Sequence, residues 1–517
     1  MRIRSIVKQL SVSRANRGFA AALAALAATA FTAAPATAFT AAPATAFTAA
    51  PATAAGGTVY LDCSRSTNGN GSQTSPYNNL AAVNALTFQP GDTLALASGT
   101  TCTGTLAPKG SGTADAPISI APYGSGAAPV INGNGAENAL SLTDQDNWTI
   151  GAIKLTNPAS ALAQREGLLI QATDGRVHSG YDIDGLIVDD VAGQTNKATQ
   201  AAQFSNSACI RTGAVNAGSV LNDVHVHDTR VSNCGGGGIK VRVGSAGARG
   251  SGVLIEHNTV SAVGGDGIIA SYAEAPMIQY NTAAGLGTGA HPWTGGNFAG
   301  IWVLGDHDPT MQHNVVYGSI MSAYDSEAFD CDWGNTGTCL VQYNYTHDNA
   351  GGIFLNCDGC GTSGAPTEVV RYNVFQQDCR MISNGNAAKL LFYNNVVYCP
   401  GKKLDIHVPT TSTLENNIWT GTSDSTLPTG TGVSWLWNVF QGVPRPTANG
   451  IVGDPQFVDP GTGGDTLTSV DGYKLRSTSP ALNNGGVVSG NGGRDYWGNP
   501  VSSTAKPHRG AYNGPGL

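Results

Sequence analysis

Charge is scarce in this sequence: only 12% of its 517 residues are Asp, Glu, Lys or Arg. Methionine is scarcer, at 5 residues, and aromatic residues reach only 7%. Their place is taken by 69 Gly and by abundant Asn, Thr and Ser. These are poor helix formers, so the composition disfavours a helical protein. Basic residues are also few, 27 against 35 acidic ones, giving a net charge of −8. That balance, with a pI near 5.6, argues against nucleic acid as a partner. It leaves an acidic polysaccharide open. Beyond the N-terminal region no apolar run is long enough to cross a bilayer, so no membrane partner is expected.

The N-terminus reads as an export signal. Arg2, Arg4, Lys8, Arg14 and Arg17 precede the apolar run Phe19 to Phe31. The octapeptide FTAAPATA then occurs three times, from Phe31, Phe39 and Phe47. Each copy ends in Ala-Thr-Ala, the small-x-small pattern that signal peptidase cleaves, so cleavage is expected after Ala38, Ala46 or Ala54. A secreted, extracellular protein is the expectation. Ten cysteines agree with an oxidising compartment. The expected pairs are Cys63 with Cys102, Cys209 with Cys234 and Cys379 with Cys399, with Cys331, Cys339, Cys357 and Cys360 forming the other two. CDGC at Cys357–Cys360 lacks a second CxxC, so structural bridging is preferred to metal or redox chemistry.

Between about residues 220 and 420 one phrase recurs: a short apolar strand, an Asn, then another apolar residue. Aligned on Asn258, Asn281, Asn314, Asn344, Asn373, Asn394 and Asn416, the spacings are 23, 33, 30, 29, 21 and 22. Short strands at such a drifting period suit a solenoid. Asn at each tight bend can bond backbone and tolerate a left-handed conformation. Stacked coils would line these side chains into a ladder. A Gly-rich phrase and a further strand follow each Asn, as in GGDGIIAS and EAFDCDW.

The repeat resembles the right-handed parallel β-helix of the pectin-lyase-like superfamily. The resemblance implies an all-β solenoid over most of the chain, with an N-terminal capping helix near Leu80–Leu86. It divides the chain into residues 1–54 (signal peptide and Ala/Thr/Pro repeat), 55–425 (β-helix) and 426–517 (closing segment). That fold hosts lyases, hydrolases, epimerases and phage tailspikes, so it does not name a reaction.

Candidate chemistry comes from strand alternation. Aligning Ile239, Ile268, Ile301, Phe329 and Ile353 puts an apolar or small face inward. The opposite face then carries Lys240 and Arg242, Trp302, Asp330 and Asp332, and Phe354 with Asn356. Asp330 and Asp332 would have Cα atoms about 6.5–7 Å apart on one face, nearer the inverting than the retaining arrangement of glycosidase carboxylates. Neighbouring carboxylates raise one another's proton affinity, which suits an acid and base pair. Glu327 is the third candidate carboxylate. Trp302, Phe354, Asn356, Arg242, Lys240 and His347 are the candidate sugar contacts, because aromatic faces and polar rims match a sugar.

The leading expectation is a secreted, monomeric glycoside hydrolase that needs no metal. No Gly-His-Gly and no correctly ordered Arg-x-Lys occurs, so the polygalacturonase branch is disfavoured. Two alternatives stay open. One is a polysaccharide lyase with Lys240 or Arg242 as base and Ca²⁺ on Asp330, Asp332 and Glu327. The other is a non-catalytic glycan-binding or adhesin-like solenoid.

Overall fold

The computed structural model describes residues 56–361 and 364–517. The expected signal peptide and Ala/Thr/Pro repeat lie outside the described residues. Each coil contributes one short strand to each of three parallel sheets. In one coil these are Val253–Glu256, Thr259–Ser261 and Gly264–Ser271, after which Met277–Gln279 re-enters the first sheet. Each strand pairs in parallel with its counterpart in the next coil. Among the described residues the first sheet has 14 strands. This is a parallel β-helix.

The interior is filled by vertical stacks of like residues. On the third sheet, Ile239, Ile268, Ile301, Phe329, Phe354, Met381 and Ile406 lie in register, each almost wholly buried. Coils approach so closely that a Cβ on Gly300 would lie 2.3 Å from the Ala328 carbonyl oxygen, which explains the Gly-rich phrase.

The asparagine ladder runs along the bend between the first and second sheets. Each Asn Nδ2 donates to the next Asn Oδ1 at 3.0–3.2 Å, from Asn258 through Asn281, Asn314, Asn344, Asn373, Asn395 and Asn417 to Asn438. The last members differ from the expectation: Asn395 and Asn417 belong to the ladder, not Asn394 and Asn416. The left-handed residue is the one before each ladder Asn. His257, Tyr280, His313, Tyr343, Tyr372, Asn394 and Asn416 all have φ between 51° and 57°.

The three expected pairs, Cys63–Cys102, Cys209–Cys234 and Cys379–Cys399, are present, and the other four cysteines pair as Cys331–Cys339 and Cys357–Cys360. Among the described residues no helix is long and apolar enough to cross a membrane. A five-residue helix, Leu80–Asn84, buries Leu80 and Val83 in the core, its N-terminus capped by the Asn79 side chain. The C-terminal residues lay Phe457, Val470, Tyr473 and Tyr512 along the outer face of the second sheet, against Tyr345, Val374 and Val396. The outer face of the third sheet is left for the loops that build the cleft described next.

Candidate active site

Asp330 projects outward from the third sheet, because its neighbours Phe329 and Cys331 are interior core residues. It pairs with Trp302 in the preceding coil and with Leu355 in the following one. The alternation expected from Ile301 holds through Cys331, and Asp332 follows the end of the strand. The following coil is shifted by one residue: Phe354, not Ile353, stacks on Phe329. Phe354 and Asn356 consequently face inward, contrary to expectation, and contribute nothing to the outer face. Asn356 is tolerated inside because its Nδ2 donates to buried Glu368 at 2.5 Å.

Facing outward does not leave Asp330 open. It is 5% exposed, and its Oδ1 has no hydrogen-bond partner. Three loops account for the cover. The segment around Lys197 joins the insertion Gly285–Phe298 through Thr195–Thr294 and through the Asn196–Gly295 bridge. The loop before Phe329 joins the same insertion through Ala323 N–H to the Gly296 carbonyl. That loop carries Asp325 and Glu327.

Four carboxyl groups thus converge: Asp325, Glu327, Asp330 and Asp332. Burial, then the charges of Asp332, Asp325 and Glu327, push Asp330 well above the usual carboxylate range. Burial pushes Glu327 up to about 8, although Arg380 Nη1 lies 3.1 Å from its Oε1. Burial raises Asp332 to about 6, opposed by its bond from Trp333 N–H and by Lys197. Burial also raises Asp325, opposed by Lys197 and Arg380 and by a bond with Asn297. Asp325 and Asp332 are half-buried, whereas Glu327 and Asp330 are buried.

Beside the carboxylates runs a cleft of about 190 Å³ lined by Trp302, Lys197, Arg211, Lys240, Arg242 and Asp266, among others. Trp302 Nε1 donates to Asp266 Oδ1 at 3.2 Å, and Lys240 Nζ lies 3.0 Å from Asp266 Oδ2. Lys240 is therefore buried and paired, not free. Burial lowers its pKa, opposed by Asp266. Arg242 is exposed and lies over Tyr272 at 5.0 Å. Lys197 Nζ sits 6.0 Å from the Trp302 ring.

The structure thus brings together Asp330, Asp332, Glu327 and Trp302, with Lys240 and Arg242 farther along the same cleft. His347 is elsewhere. It lies on the second sheet, stacked 4.7 Å from Tyr317, with Nε2 3.3 Å from Asp465 of the C-terminal segment. Sequence reasoning missed Asp325, Lys197 and Arg380. Asp325 stands one residue before the acidic stretch and seven before Asp332, a readable signal. Lys197 and Arg380 arrive from 128 and 55 residues away from Asp325, and no local pattern marks them.

No protein-family model matches the chain. Among curated proteins it is 25% identical to the lacto-N-biosidase of Bifidobacterium longum subsp. longum, over 84% of this chain and 35% of that protein. The chain thus spans about a third of that relative's length. Two crystal structures of the GH136 lacto-N-biosidase from Eubacterium ramulus superpose on it. The selenomethionine form gives a TM-score of 0.56 at 20% identity, covering 77% of this chain and 67% of that one. The native form gives 0.55 at 19% identity, covering 76% and 67%. At these identities the likeness concerns the fold.

Proposed function

We propose that this chain is a secreted glycoside hydrolase whose working carboxylates are Asp332 and Asp325. One arrangement carries the reading: the half-buried acids Asp325 and Asp332 stand on the segment of buried Asp330, whose strand partner Trp302 lines the neighbouring cleft. Glycoside cleavage needs one carboxyl to give a proton and another to act on the sugar or on water. Asp332, raised to about 6, changes charge near neutrality and suits the acid role. Asp325, facing Lys197 and Arg380, is the better anion. Asp330, only 5% exposed, is a positioning group in this reading. Trp302 offers its face to a sugar ring.

The resemblance to a protein named lacto-N-biosidase supports an oligosaccharide substrate. The five disulfides and the leader-like residues 1–54 support export. The division at residues 54 and 425, and the helix Leu80–Asn84 as cap of the first coil, belong to the same proposal. The pairing of Lys240 with Asp266 counts against Lys240 as the free base of the lyase alternative and leaves Arg242 as its candidate.

The test is a panel of aryl glycosides, including an aryl lacto-N-bioside, beside plant and microbial polysaccharides. Hydrolysis by the wild type is expected, with losses of about 10²–10⁴-fold in both Asp332→Asn and Asp325→Asn. EDTA should leave the rate unchanged. Unsaturated products, or full activity in both variants, would overturn the assignment.

A further inference from the structure

A second cluster lies on the outer face of the first sheet, away from the cleft. His225 and His227 are two apart in the strand Val220–His227 and so share one face. Their rings stack with centroids 4.0 Å apart. Asp182, on the neighbouring strand Val177–Asp184, is directly opposite His225. Its Oδ1 lies 2.9 Å from His227 Nε2 and 3.7 Å from His225 Nδ1. In a tetrahedral zinc site with bonds of about 2.0–2.1 Å, ligand atoms stand about 3.3–3.4 Å apart. The two observed distances bracket that value, and turning the two stacked rings out of parallel would aim both nitrogens at one ion beside Asp182.

The other ring nitrogens are already committed. His225 Nε2 lies 3.2 Å from Glu256 Oε1, and His227 Nδ1 lies 2.9 Å from Asp228 Oδ2. Glu256 is itself fixed by Gln279 Nε2 at 2.7 Å. A carboxylate behind each imidazole is the outer shell that orients metal-ligating histidines and sets their tautomer. It turns His225 Nδ1 and His227 Nε2 toward Asp182. The side chains of Asp182, His225 and His227 are 45%, 35% and 17% exposed, which leaves room for a water as fourth ligand.

We propose that Asp182, His225 and His227 form a divalent transition-metal site, with Zn²⁺ the best match. Two imidazoles and one carboxylate favour zinc over calcium or magnesium, which prefer all-oxygen shells. The ion would tie two successive coils together on the face opposite the chemistry.

The experiment uses the full chain without an affinity tag, stripped with chelator and exchanged into metal-free buffer. Titration calorimetry with ZnCl₂ should show one site of micromolar affinity or tighter, and zinc should raise Tm. Co²⁺ should give the visible absorption of a tetrahedral centre. The double substitution His225→Gln/His227→Gln should remove the site, and Asp182→Asn should weaken it at least 10-fold. Glu256→Gln should weaken it about 10–100-fold through the outer shell. His178→Gln, in a separate His–Asp cluster, should change nothing. Absence of binding below millimolar zinc, or binding that survives both Asp182→Asn and the double variant, overturns the site. So does loss of binding in His178→Gln alone.

Discussion

Asp330 and Asp332 carry the same chemical group two residues apart, yet their environments assign them different work. Asp330 is buried and its Oδ1 has no hydrogen-bond partner, which disfavours the charged form. Asp332 is half-open and accepts a bond from Trp333 N–H at 2.8 Å. If Asp330 only shapes the site, Asp330→Asn should cost less than about 10-fold in kcat/KM and leave Tm equal or higher. Asp332→Asn should cost at least about 10²-fold. Equal losses in the two variants would restore the Asp330–Asp332 pair that sequence alone suggests. Arg380 gives a second residue-scale case. It holds Glu327 at 3.1 Å and the Tyr324 carbonyl at 2.6 Å, and so pins the loop that carries Asp325. Arg380→Met should therefore lower kcat by more than it changes KM, because it frees an acting group rather than a sugar contact. Unchanged kinetics would remove Arg380 from the site.

At the scale of elements, the asparagine ladder is the part most legible in the sequence, because one residue type repeats at one bend. It misleads only where Asn doubles, as in the pairs 394–395 and 416–417. There the first Asn takes the left-handed place that His or Tyr fills in earlier coils, and the second enters the ladder. The slip at Ile353 and Phe354 has a different cause. Inward and outward residues of that strand are equally apolar, and the deciding group, Glu368, lies on another sheet. Local alternation holds no record of such a partner. The cleft was half legible for the same reason: its strand residues follow the repeat, while its cover comes from loops with no repeat.

The ladder also makes a stability prediction. Asn344 Oδ1 accepts from Asn314 N–H at 2.8 Å and from its Nδ2 at 3.2 Å, while its own Nδ2 donates to the Met311 carbonyl at 3.0 Å. Asn344→Ala removes these three bonds and the ladder bond from its Nδ2 to Asn373 Oδ1 at 3.0 Å, all in a buried bend, so a loss of about 3–5 kcal/mol is expected in denaturant unfolding. A loss below about 1 kcal/mol would mean that water enters the bend and the ladder is not a closed network.

For the whole molecule, the buried carboxyl groups set the direction of its pH dependence. Burial raises Glu166 to about 8, Glu327 to about 8 and Asp378 to about 7, against ordinary values of 4.5, 4.5 and 3.8. Burial likewise holds Asp306 and Glu368 well above the carboxylate range. Between the unfolded and folded values the native state binds more protons than the unfolded chain, so stability falls as pH rises. His178 acts in the same sense. Burial opposes its charge, but hydrogen bonds to Asp146 and Asp174 prevail and raise its pKa above 6.5. Its contribution is therefore also lost on the alkaline side. The carboxylates shifted the other way, such as Asp62 and Asp189, lose their stabilising effect only as pH falls toward 4 and below. The solenoid should accordingly melt at a higher temperature at pH 5 than at pH 8, the reverse of a protein held together by ionised carboxylates. Glu166→Gln removes one titrating group and keeps its shape, and should flatten the slope of Tm against pH. If Tm rises from pH 5 to pH 8 in the wild type, these acids are ionised in the fold, and the upward shift of Glu327 beside the proposed site goes with them.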